Sequence, residues 1–208
     1  MAGGMLVYGM MSAETGLSAA KNTRPIKVLA LGDSLTAGYG LAARDGFVPR
    51  LEAALRTEGY NVTVVNAGVS GDTTAGGKAR LDWSLAEKPD AVLLELGAND
   101  ALRGISPVAT EANLDAMLQV LRKRQIPVLL IGMKSPPNLG TEYVTAFEGI
   151  YPRLAARYQI PLYPFFLDGV AASSTLNQPD GIHPNAQGVH EIVRRLLPVV
   201  GKFLDALS

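Results

Sequence analysis

The chain has 208 residues, 48% hydrophobic and 18% charged, a composition that fits one folded domain and argues against disorder. Its 19 basic and 19 acidic residues balance, so there is no basic excess for binding the phosphates of a nucleic acid. The absence of cysteine excludes disulfides, thiolate nucleophiles and cysteine-ligated metals, and the only two histidines confine any imidazole base to His183 or His190.

The first 24 residues lack regular periodicity and contain only a short apolar run, broken by Ser12 and Glu14. A secretory leader has a positive amino end followed by about 7 to 15 apolar residues, whereas the first positive charge here is Lys21. We therefore expect residues 1–24 to be a flexible extension or leader remnant, and residues 25–208 to form the folded domain. No stretch approaches the ~18 to 20 apolar residues that a membrane-spanning helix requires.

Five apolar segments rich in β-branched residues predict strands. Near-continuous apolar runs of this length are typical of parallel strands buried on both faces, rather than of half-exposed antiparallel strands. The predicted strands lie at residues 26–32, 61–68, 90–97, 126–132 and 160–166.

Segments with helical periodicity lie between and after these strands. In one of them Leu114, Met117, Leu118 and Leu121 share a face, and Ser106-Pro107 is a typical helix entry. Strand–helix alternation five times over predicts one α/β domain with a doubly wound parallel sheet of about five strands. The predicted helices lie at residues 46–58, 74–87, 108–124, 141–158 and 185–207.

Polar, glycine-rich segments follow the first three strands, and another precedes the last helix. Ligands of parallel α/β sheets bind beyond the carboxyl ends of the strands, so these segments are expected to converge on one edge. They are residues 32–38 (GDSLTAG), 66–73 (NAGVSGDT), 97–100 (GAND) and 180–184 (DGIHP).

Ser34 is the candidate nucleophile, since it closely follows a buried strand and precedes small residues that can begin a helix. A serine hydroxyl needs a base at neutral pH, and His183 is the better candidate because it lies in a loop, whereas His190 belongs to the last helix. Asp180, three residues before His183, can hold the imidazole tautomer and stabilise the imidazolium. The spacing alone does not establish that contact.

Three groups are candidate donors for an oxyanion at this edge: the backbone N–H of Ser34, the backbone N–H of Gly71 and the side-chain amide of Asn99. Glycine at position 71 permits a close backbone approach and an unusual dihedral angle, and the Asn99 amide does not titrate. The order of these groups along the chain predicts a serine hydrolase site.

Two nucleotide-binding patterns are absent. Residues 71–79 (GDTTAGGKA) imitate a phosphate-binding loop, but an extra glycine displaces Lys78 and no serine or threonine follows it. The first strand is not followed by G-x-G-x-x-G, so dinucleotide binding has little support.

The segments GDSLTAGYG, NAGVSGDTT, LGANDALRG and DGIHP resemble, in order and position, the four sequence blocks of the GDSL or SGNH hydrolases. The resemblance runs over residues 26–203 and is closest to the bacterial branch of multifunctional acyl-CoA thioesterases, lysophospholipases and arylesterases. It implies a flavodoxin-like SGNH hydrolase fold, which is a three-layer α/β/α sandwich with a five-stranded parallel sheet, and an ester or thioester substrate. It also implies Ser34, Asp180 and His183 as the triad, with Ser34, Gly71 and Asn99 as oxyanion donors. Many members of this branch are periplasmic, which makes a periplasmic location an expectation here and a cytoplasmic one the alternative.

The predicted function is hydrolysis of aryl or short-to-medium acyl esters through an acyl-enzyme, with acyl thioesters and lysophospholipids as further candidates. No metal, cofactor or nucleic acid is expected, and the sequence does not indicate an oligomeric state. Carbohydrate deacetylation is an alternative, although aromatic residues for sugar stacking make up only 6% of the chain; a binding module that has lost turnover is another. The residues expected to contact the acyl group are Leu35, Leu102, Ile105, Met133, Pro136, Tyr143, Phe166 and Ile182.

Overall fold

Five strands pair into one parallel sheet in the computed structural model of the protein, which describes residues 1, 21–22 and 24–207. Their spatial order is β2-β1-β3-β4-β5. Strand β2 is added on one side of β1 and the later strands on the other side, so the strand order reverses between β1 and β3. The carboxyl ends of β1 and β3 therefore flank the position at which α/β folds bind ligands. The strands are β1 (Ile26–Gly32), β2 (Val62–Gly68), β3 (Ala91–Glu95), β4 (Val128–Ile131) and β5 (Leu162–Tyr163).

Strand β3 is the centre of the sheet, and all five of its residues are buried. It pairs with β1 on one side, where Val28 is opposite Ala91, and with β4 on the other, where Val92 is opposite Val128. Because helices cover both faces of the sheet, β1, β3 and β4 are buried at almost every position, as the sequence predicted, whereas the edge strand β2 has exposed residues between its buried ones.

The helices form two layers. Helices α2 and α9 pack together, and α6 packs with α3 and α8, so the predicted three-layer sandwich is confirmed. The helices are α1 (Ser34–Ala37), α2 (Phe47–Thr57), α3 (Thr74–Ala79), α4 (Leu81–Ser84), α5 (Ala98–Leu102), α6 (Pro107–Lys123), α7 (Thr141–Glu148), α8 (Ile150–Tyr158) and α9 (Ala186–Asp205).

Two predicted helices are interrupted. The segment 74–87 divides into α3, α4 and a 3₁₀ turn, with the first break at Arg80, whose φ of −102° and ψ of 5° leave the helical range. The segment 141–158 divides into α7 and α8 at Gly149. Pro152 contributes to the second break because it has no N–H to donate to the carbonyl of Glu148.

The last strand is much shorter than the predicted span of 160–166. Only Leu162 and Tyr163 belong to β5, and Pro164 has no N–H to donate to the neighbouring strand. The prediction for residues 1–24 falls mostly outside the described residues. Within the described ranges, no helix is both long and apolar enough to cross a membrane.

Candidate active site

Ser34 is the first residue of α1, directly beyond the end of β1. The Asp33 carboxylate accepts the N–H of Leu35 at 2.9 Å and so caps this short helix. Helix N-termini leave their first N–H groups without an acceptor within the helix, and the N–H of Ser34 is one of these. The Ser34 side chain is almost fully buried, with 8% of the residue exposed at the floor of a cavity.

His183 and Asp180 reach Ser34 from the loop before α9. His183 Nε2 lies 2.9 Å from Ser34 Oγ, and His183 Nδ1 lies 2.6 Å from Asp180 Oδ2. Because an ionised carboxylate only accepts hydrogen bonds, Nδ1 donates to Asp180 and Nε2 is left as the acceptor for the Ser34 hydroxyl. The structure thus brings the three residues into one hydrogen-bonded chain, whereas His190 is exposed on α9.

The loop geometry keeps Asp180 ionised. Its Oδ1 accepts the backbone N–H groups of Ile182 at 2.9 Å and His183 at 3.0 Å. The backbone N–H and the ring of His183, followed by the N–H of Ile182, lower the pKa of Asp180 to about 2.

Tyr39 and Gln178 hold the histidine loop against the serine loop. The Tyr39 ring lies on the His183 imidazole, with 4.6 Å between ring centroids. Gln178 Nε2 donates to the carbonyl of Tyr39 at 2.8 Å, and the N–H of Gln178 donates to the carbonyl of His183 at 2.7 Å. Neither residue was predicted from the sequence. Tyr39 lies within the segment GDSLTAGYG, but its contact is with a residue 144 positions away.

The three predicted oxyanion donors come from three separate strand ends. Gly71 has a φ of +83°, which L side chains rarely adopt, so glycine is required for this turn. Asn99 lies in α5 after β3, and its Nδ2 donates to the carbonyl of Asp72 at 2.9 Å and to Asp33 Oδ2 at 3.2 Å. The Asn99 amide is therefore tied both to the Gly71 loop and to the residue preceding Ser34.

Two buried carboxyl groups lie beneath the serine. Burial, as the largest cause, raises the pKa of Asp33 to about 6. Burial and the neighbouring charge of Asp33 raise the pKa of Glu95 well above its usual range, and Glu95 Oε2 accepts the Thr36 hydroxyl at 2.6 Å. A protonated Glu95 avoids an uncompensated charge in the core, which is the usual response of a fully buried carboxyl group.

An apolar cavity of about 580 Å³ opens beside Ser34 and His183, a volume typical of small-molecule sites. Five of the eight residues expected at the acyl group line it, and their role in binding stays a prediction. Among the lining residues of this cavity Lys134 is the only lysine, arginine, aspartate or glutamate, so the wall that an acyl chain would meet is mostly hydrocarbon. The five predicted lining residues are Leu35, Leu102, Met133, Pro136 and Ile182.

The other three predicted acyl contacts, Ile105, Tyr143 and Phe166, lie outside this lining. Phe166 is 1% exposed and packs edge-on against Phe47 in the core. The hydroxyl of Tyr143 donates to the carbonyl of Ile105 at 2.7 Å, so these two residues contact each other instead.

Several cavity residues were not predicted. They lie in the segments after β4 and β5, and the rule that ligands bind beyond strand ends could have identified those nearest the strands. Phe165 lines the cavity in place of its neighbour Phe166, a one-residue shift that a sequence pattern does not resolve. Besides Ala98 and Gly181, which belong to the polar segments noted in the sequence, the lining residues missed from the sequence are Lys134, Ser135, Pro137, Phe165, Leu167, Ala171, Ala172 and Asn177.

The segment that imitates a phosphate-binding loop has a structural role. Thr73 precedes α3, and its hydroxyl accepts the N–H of Gly76 at 3.3 Å, so it is the helix cap. In the part of the chain that the structure describes, no cluster of three or more histidine, cysteine, aspartate or glutamate side chains could hold a metal ion.

A parallel α/β sheet with a Ser–His–Asp chain at its carboxyl edge defines the class of serine hydrolases. The model of the GDSL-like Lipase/Acylhydrolase family matches residues 30–190. The chain therefore belongs to this family, as the sequence predicted.

Named relatives are similar over most of the chain. The esterase TesA of Pseudomonas aeruginosa is 43% identical over 85% of this chain and 89% of its own length. Thioesterase 1/protease 1/lysophospholipase L1 of Escherichia coli K12 is 42% identical over 76% of this chain and 75% of its own length. The structure of the psychrotrophic esterase EstA from Pseudoalteromonas sp., inhibited by monoethylphosphonate, superposes with a TM-score of 0.82 at 33% identity, covering 86% of this chain and 98% of that one.

Proposed function

We propose that the protein hydrolyses carboxylic esters through an acyl-enzyme formed on Ser34. The observation that carries the proposal is the hydrogen-bonded chain from Ser34 Oγ through His183 to Asp180, of which Ser34 and His183 line an apolar cavity. Relatives named as esterases and as a thioesterase and lysophospholipase support the substrate class.

The first half of the reaction acylates the serine. His183 Nε2 removes the proton of Ser34 Oγ, and Oγ attacks the carbonyl carbon of the ester. The carbonyl oxygen becomes an oxyanion, which accepts hydrogen bonds from the N–H groups of Ser34 and Gly71 and from Asn99 Nδ2. His183 then donates its proton to the leaving alcohol oxygen, and the acyl group stays on Ser34.

The second half releases the acid. His183 removes a proton from water, the water oxygen attacks the acyl carbon, and the same donors stabilise the second oxyanion. Ser34 leaves with the proton from His183. Throughout both halves Asp180 holds the N–H at Nδ1 and offsets the positive charge of the imidazolium.

The cavity determines the substrate class that we propose. Its apolar wall fits aryl and short-to-medium acyl groups, and acyl thioesters and lysophospholipids present the same acyl chemistry to Ser34. Phe165 is its one aromatic lining residue apart from the ring of His183, so the cavity offers little surface on which a sugar ring could stack. Carbohydrate deacetylation is therefore the less favoured function.

The test compares wild type with Ser34→Ala on p-nitrophenyl esters of increasing acyl length, an acyl-CoA, a lysophospholipid and an acetylated xylan. We expect wild type to hydrolyse the aryl esters and Ser34→Ala to lose nearly all turnover, because no other group supplies the nucleophile. A fluorophosphonate probe is expected to label wild type at Ser34.

Ser174→Ala is the matched control, since Ser174 is an exposed serine outside the cavity lining, and it should retain both turnover and labelling. Retention of more than a few per cent of wild-type activity in Ser34→Ala would overturn the assignment of the nucleophile. Wild type that neither turns over nor reacts with the probe would indicate a binding module, and a preference for the acetylated xylan would indicate a sugar esterase.

A further inference from the structure

Arg80, at the break between α3 and α4, connects the serine strand to the loop that bears Gly71. Its Nη2 donates to the carbonyl of Gly32 at 2.8 Å, and its Nε donates to Asp72 Oδ2 at 2.5 Å. Gly32 is the last residue of β1, two residues before Ser34, and Asp72 directly follows Gly71. One guanidinium thus spans the two backbone segments that supply N–H groups to the proposed oxyanion.

These contacts close a ring. The backbone carbonyl of Asp72 accepts a hydrogen bond from Asn99 Nδ2 at 2.9 Å, and Asn99 Nδ2 also donates to Asp33 Oδ2 at 3.2 Å. Asp33 is bonded covalently to Gly32, where the Arg80 contact begins. The ring, made of Gly32, Arg80, Asp72, Asn99 and Asp33, passes beside all three proposed oxyanion donors.

The burial of this ring favours a defined geometry. The side chains of Arg80 and Asp72 are each 17% exposed, and Arg80 is the least exposed of the arginines in ion pairs among the described residues. A partly desolvated ion pair is screened less than a surface pair, and a planar guanidinium fixes two acceptors in a set direction.

Gly76 leaves room for the Asp72 carboxylate. A Cβ at this position would lie 2.4 Å from Asp72 Oδ1, closer than real contacts allow. Gly76 and the non-helical backbone of Arg80 are therefore both compatible with the seating of this ion pair, whereas Gly77 makes room for the Leu96 side chain instead.

We propose that Arg80 is a positioning residue for the oxyanion site, holding the Gly71 N–H and the Asn99 amide in register with Ser34 through Asp72 and Gly32. This inference rests on the proposed acyl-enzyme function. Arg80 does not contact the substrate but acts through the two loops. Its loss therefore weakens stabilisation of the oxyanion, which lowers kcat, and leaves binding of the ester nearly unchanged.

The experiment measures kcat and KM on the best p-nitrophenyl ester for wild type, Arg80→Met, Arg80→Lys and Asp72→Asn. It also measures the affinity for a trifluoromethyl ketone of the same acyl chain, which forms a tetrahedral oxyanion with the serine, and for the matching methyl ketone. Removing one oxyanion donor lowers kcat by ~10²–10³, and a misplaced donor costs less, so we expect Arg80→Met to lower kcat by about 10- to 100-fold.

The pattern of the effects separates positioning from general loss of structure. We expect KM and methyl ketone affinity to stay within about threefold of wild type, while trifluoromethyl ketone affinity falls by the same factor as kcat. Arg80→Lys should recover part of kcat, because the lysine ammonium keeps the positive charge but lacks the planar guanidinium that donates to two acceptors in fixed directions. Asp72→Asn, which keeps the shape of the side chain, should show the same pattern and serves if Arg80→Met does not fold.

Arg124→Met is the matched control, since it removes an exposed arginine whose ion pair with Asp82 includes no residue of the ring, and its kcat should equal that of wild type. The inference is overturned if Arg80→Met and Asp72→Asn keep kcat within twofold, or if kcat falls without any selective loss of trifluoromethyl ketone affinity. Ser34→Ala distinguishes the two proposals: an inactive Ser34→Ala beside an unaffected Arg80→Met refutes only the role of Arg80, whereas an inactive wild type refutes the function.

Discussion

Asn99 bonds two acceptors within the protein, the carbonyl of Asp72 and the Asp33 carboxylate. Both hydrogens of its amide are thus directed to protein acceptors before any substrate arrives, so donation to an oxyanion replaces one of these two bonds in a group whose position is already fixed. We predict that Asn99→Ala lowers kcat on an aryl ester by ~10²–10³ with a smaller change in KM.

Asn61→Ala is a suitable control for this prediction. Asn61 is exposed and precedes β2, at the edge of the sheet opposite Ser34, so its loss should leave steady-state kinetics unchanged. A kcat for Asn99→Ala within threefold of wild type would contradict the role of the amide.

The raised pKa of Asp33 makes the free energy of unfolding depend on pH. Its folded-state pKa of about 6 exceeds the ordinary value of 3.8, so the folded state binds this proton more tightly than the unfolded state does. The resulting stability is complete below about pH 4 and is lost as the pH rises to about 6. Asp33→Asn, which is neutral at every pH, should therefore gain stability relative to wild type on going from acid to neutral pH.

Urea unfolding of wild type and Asp33→Asn at about pH 4.5 and about pH 7.5 tests this prediction. Asp82→Asn is the control, since the Asp82 side chain is 78% exposed and its removal should have nearly the same effect at both pH values. An Asp33→Asn effect that does not change with pH would show that the Asp33 carboxyl titrates normally.

The sequence was sufficient to select Ser34 and His183 as candidate neighbours, because strand ends of a parallel sheet meet at one edge and the chain has only two histidines, whereas the contact of Asp180 with His183 was implied only by the family resemblance. It was not sufficient to predict Tyr39 or Arg80 in this site. The Tyr39 ring contacts the His183 imidazole, and the Arg80 guanidinium bonds the carbonyl of Gly32. Both contacts depend on how two loops are placed relative to each other, and neither produces a periodic pattern in the sequence.

At the scale of elements, the cap of α9 fixes the end of the histidine loop. Asn185 Oδ1 accepts the N–H groups of Gln187 and Gly188, each at 3.0 Å, and Asn185 Nδ2 donates to the carbonyl of Thr175 at 2.9 Å. We predict that Asn185→Ala lowers the free energy of unfolding by ~1 to 2 kcal/mol, as measured by chemical denaturation.

Asn185→Asp separates the two functions of this side chain. It keeps the acceptor at the helix N-terminus, where a negative charge is favourable, and loses the Nδ2 donor to the carbonyls of Thr175 and Asn177. It should be less destabilised than Asn185→Ala, and equal destabilisation of the two variants would show that the cap contributes little.

The sequence predicted best those elements whose residues show a single strong hydrophobic pattern with no competing signal. Strand β1 has the predicted bounds, because an apolar run ending in glycine has no competing signal. The errors arose where residues serve a tertiary contact: Arg80 interrupts a predicted helix while bonding Gly32 and Asp72, and Pro164 ends β5 after two residues. Local propensity does not record such contacts.

At the scale of the whole molecule, the core is continuous across the sheet, so we predict that the described domain unfolds as one cooperative unit. Leu94, in the central strand β3, is fully buried. Leu94→Ala should lower the free energy of unfolding by ~2 to 5 kcal/mol, with circular dichroism and loss of activity reporting one coincident transition.

Val108→Ala is the corresponding surface control. Val108 is 78% exposed on α6, so its truncation should change the free energy of unfolding by no more than ~0.5 kcal/mol. Separate transitions for circular dichroism and activity in Leu94→Ala would contradict unfolding as a single unit.

The bond between Ser34 Oγ and His183 Nε2 joins residues 149 positions apart, which has a consequence for biosynthesis. A ribosome adds ~5 to 20 residues per second, so roughly 7 to 30 s pass between translation of the serine and translation of its base. On the proposed assignment, a nascent chain contains the nucleophile but no base throughout that interval. Because intermediates without the base are inactive, the moment at which hydrolytic activity appears during synthesis or refolding would report when the His183 loop packs against the sheet.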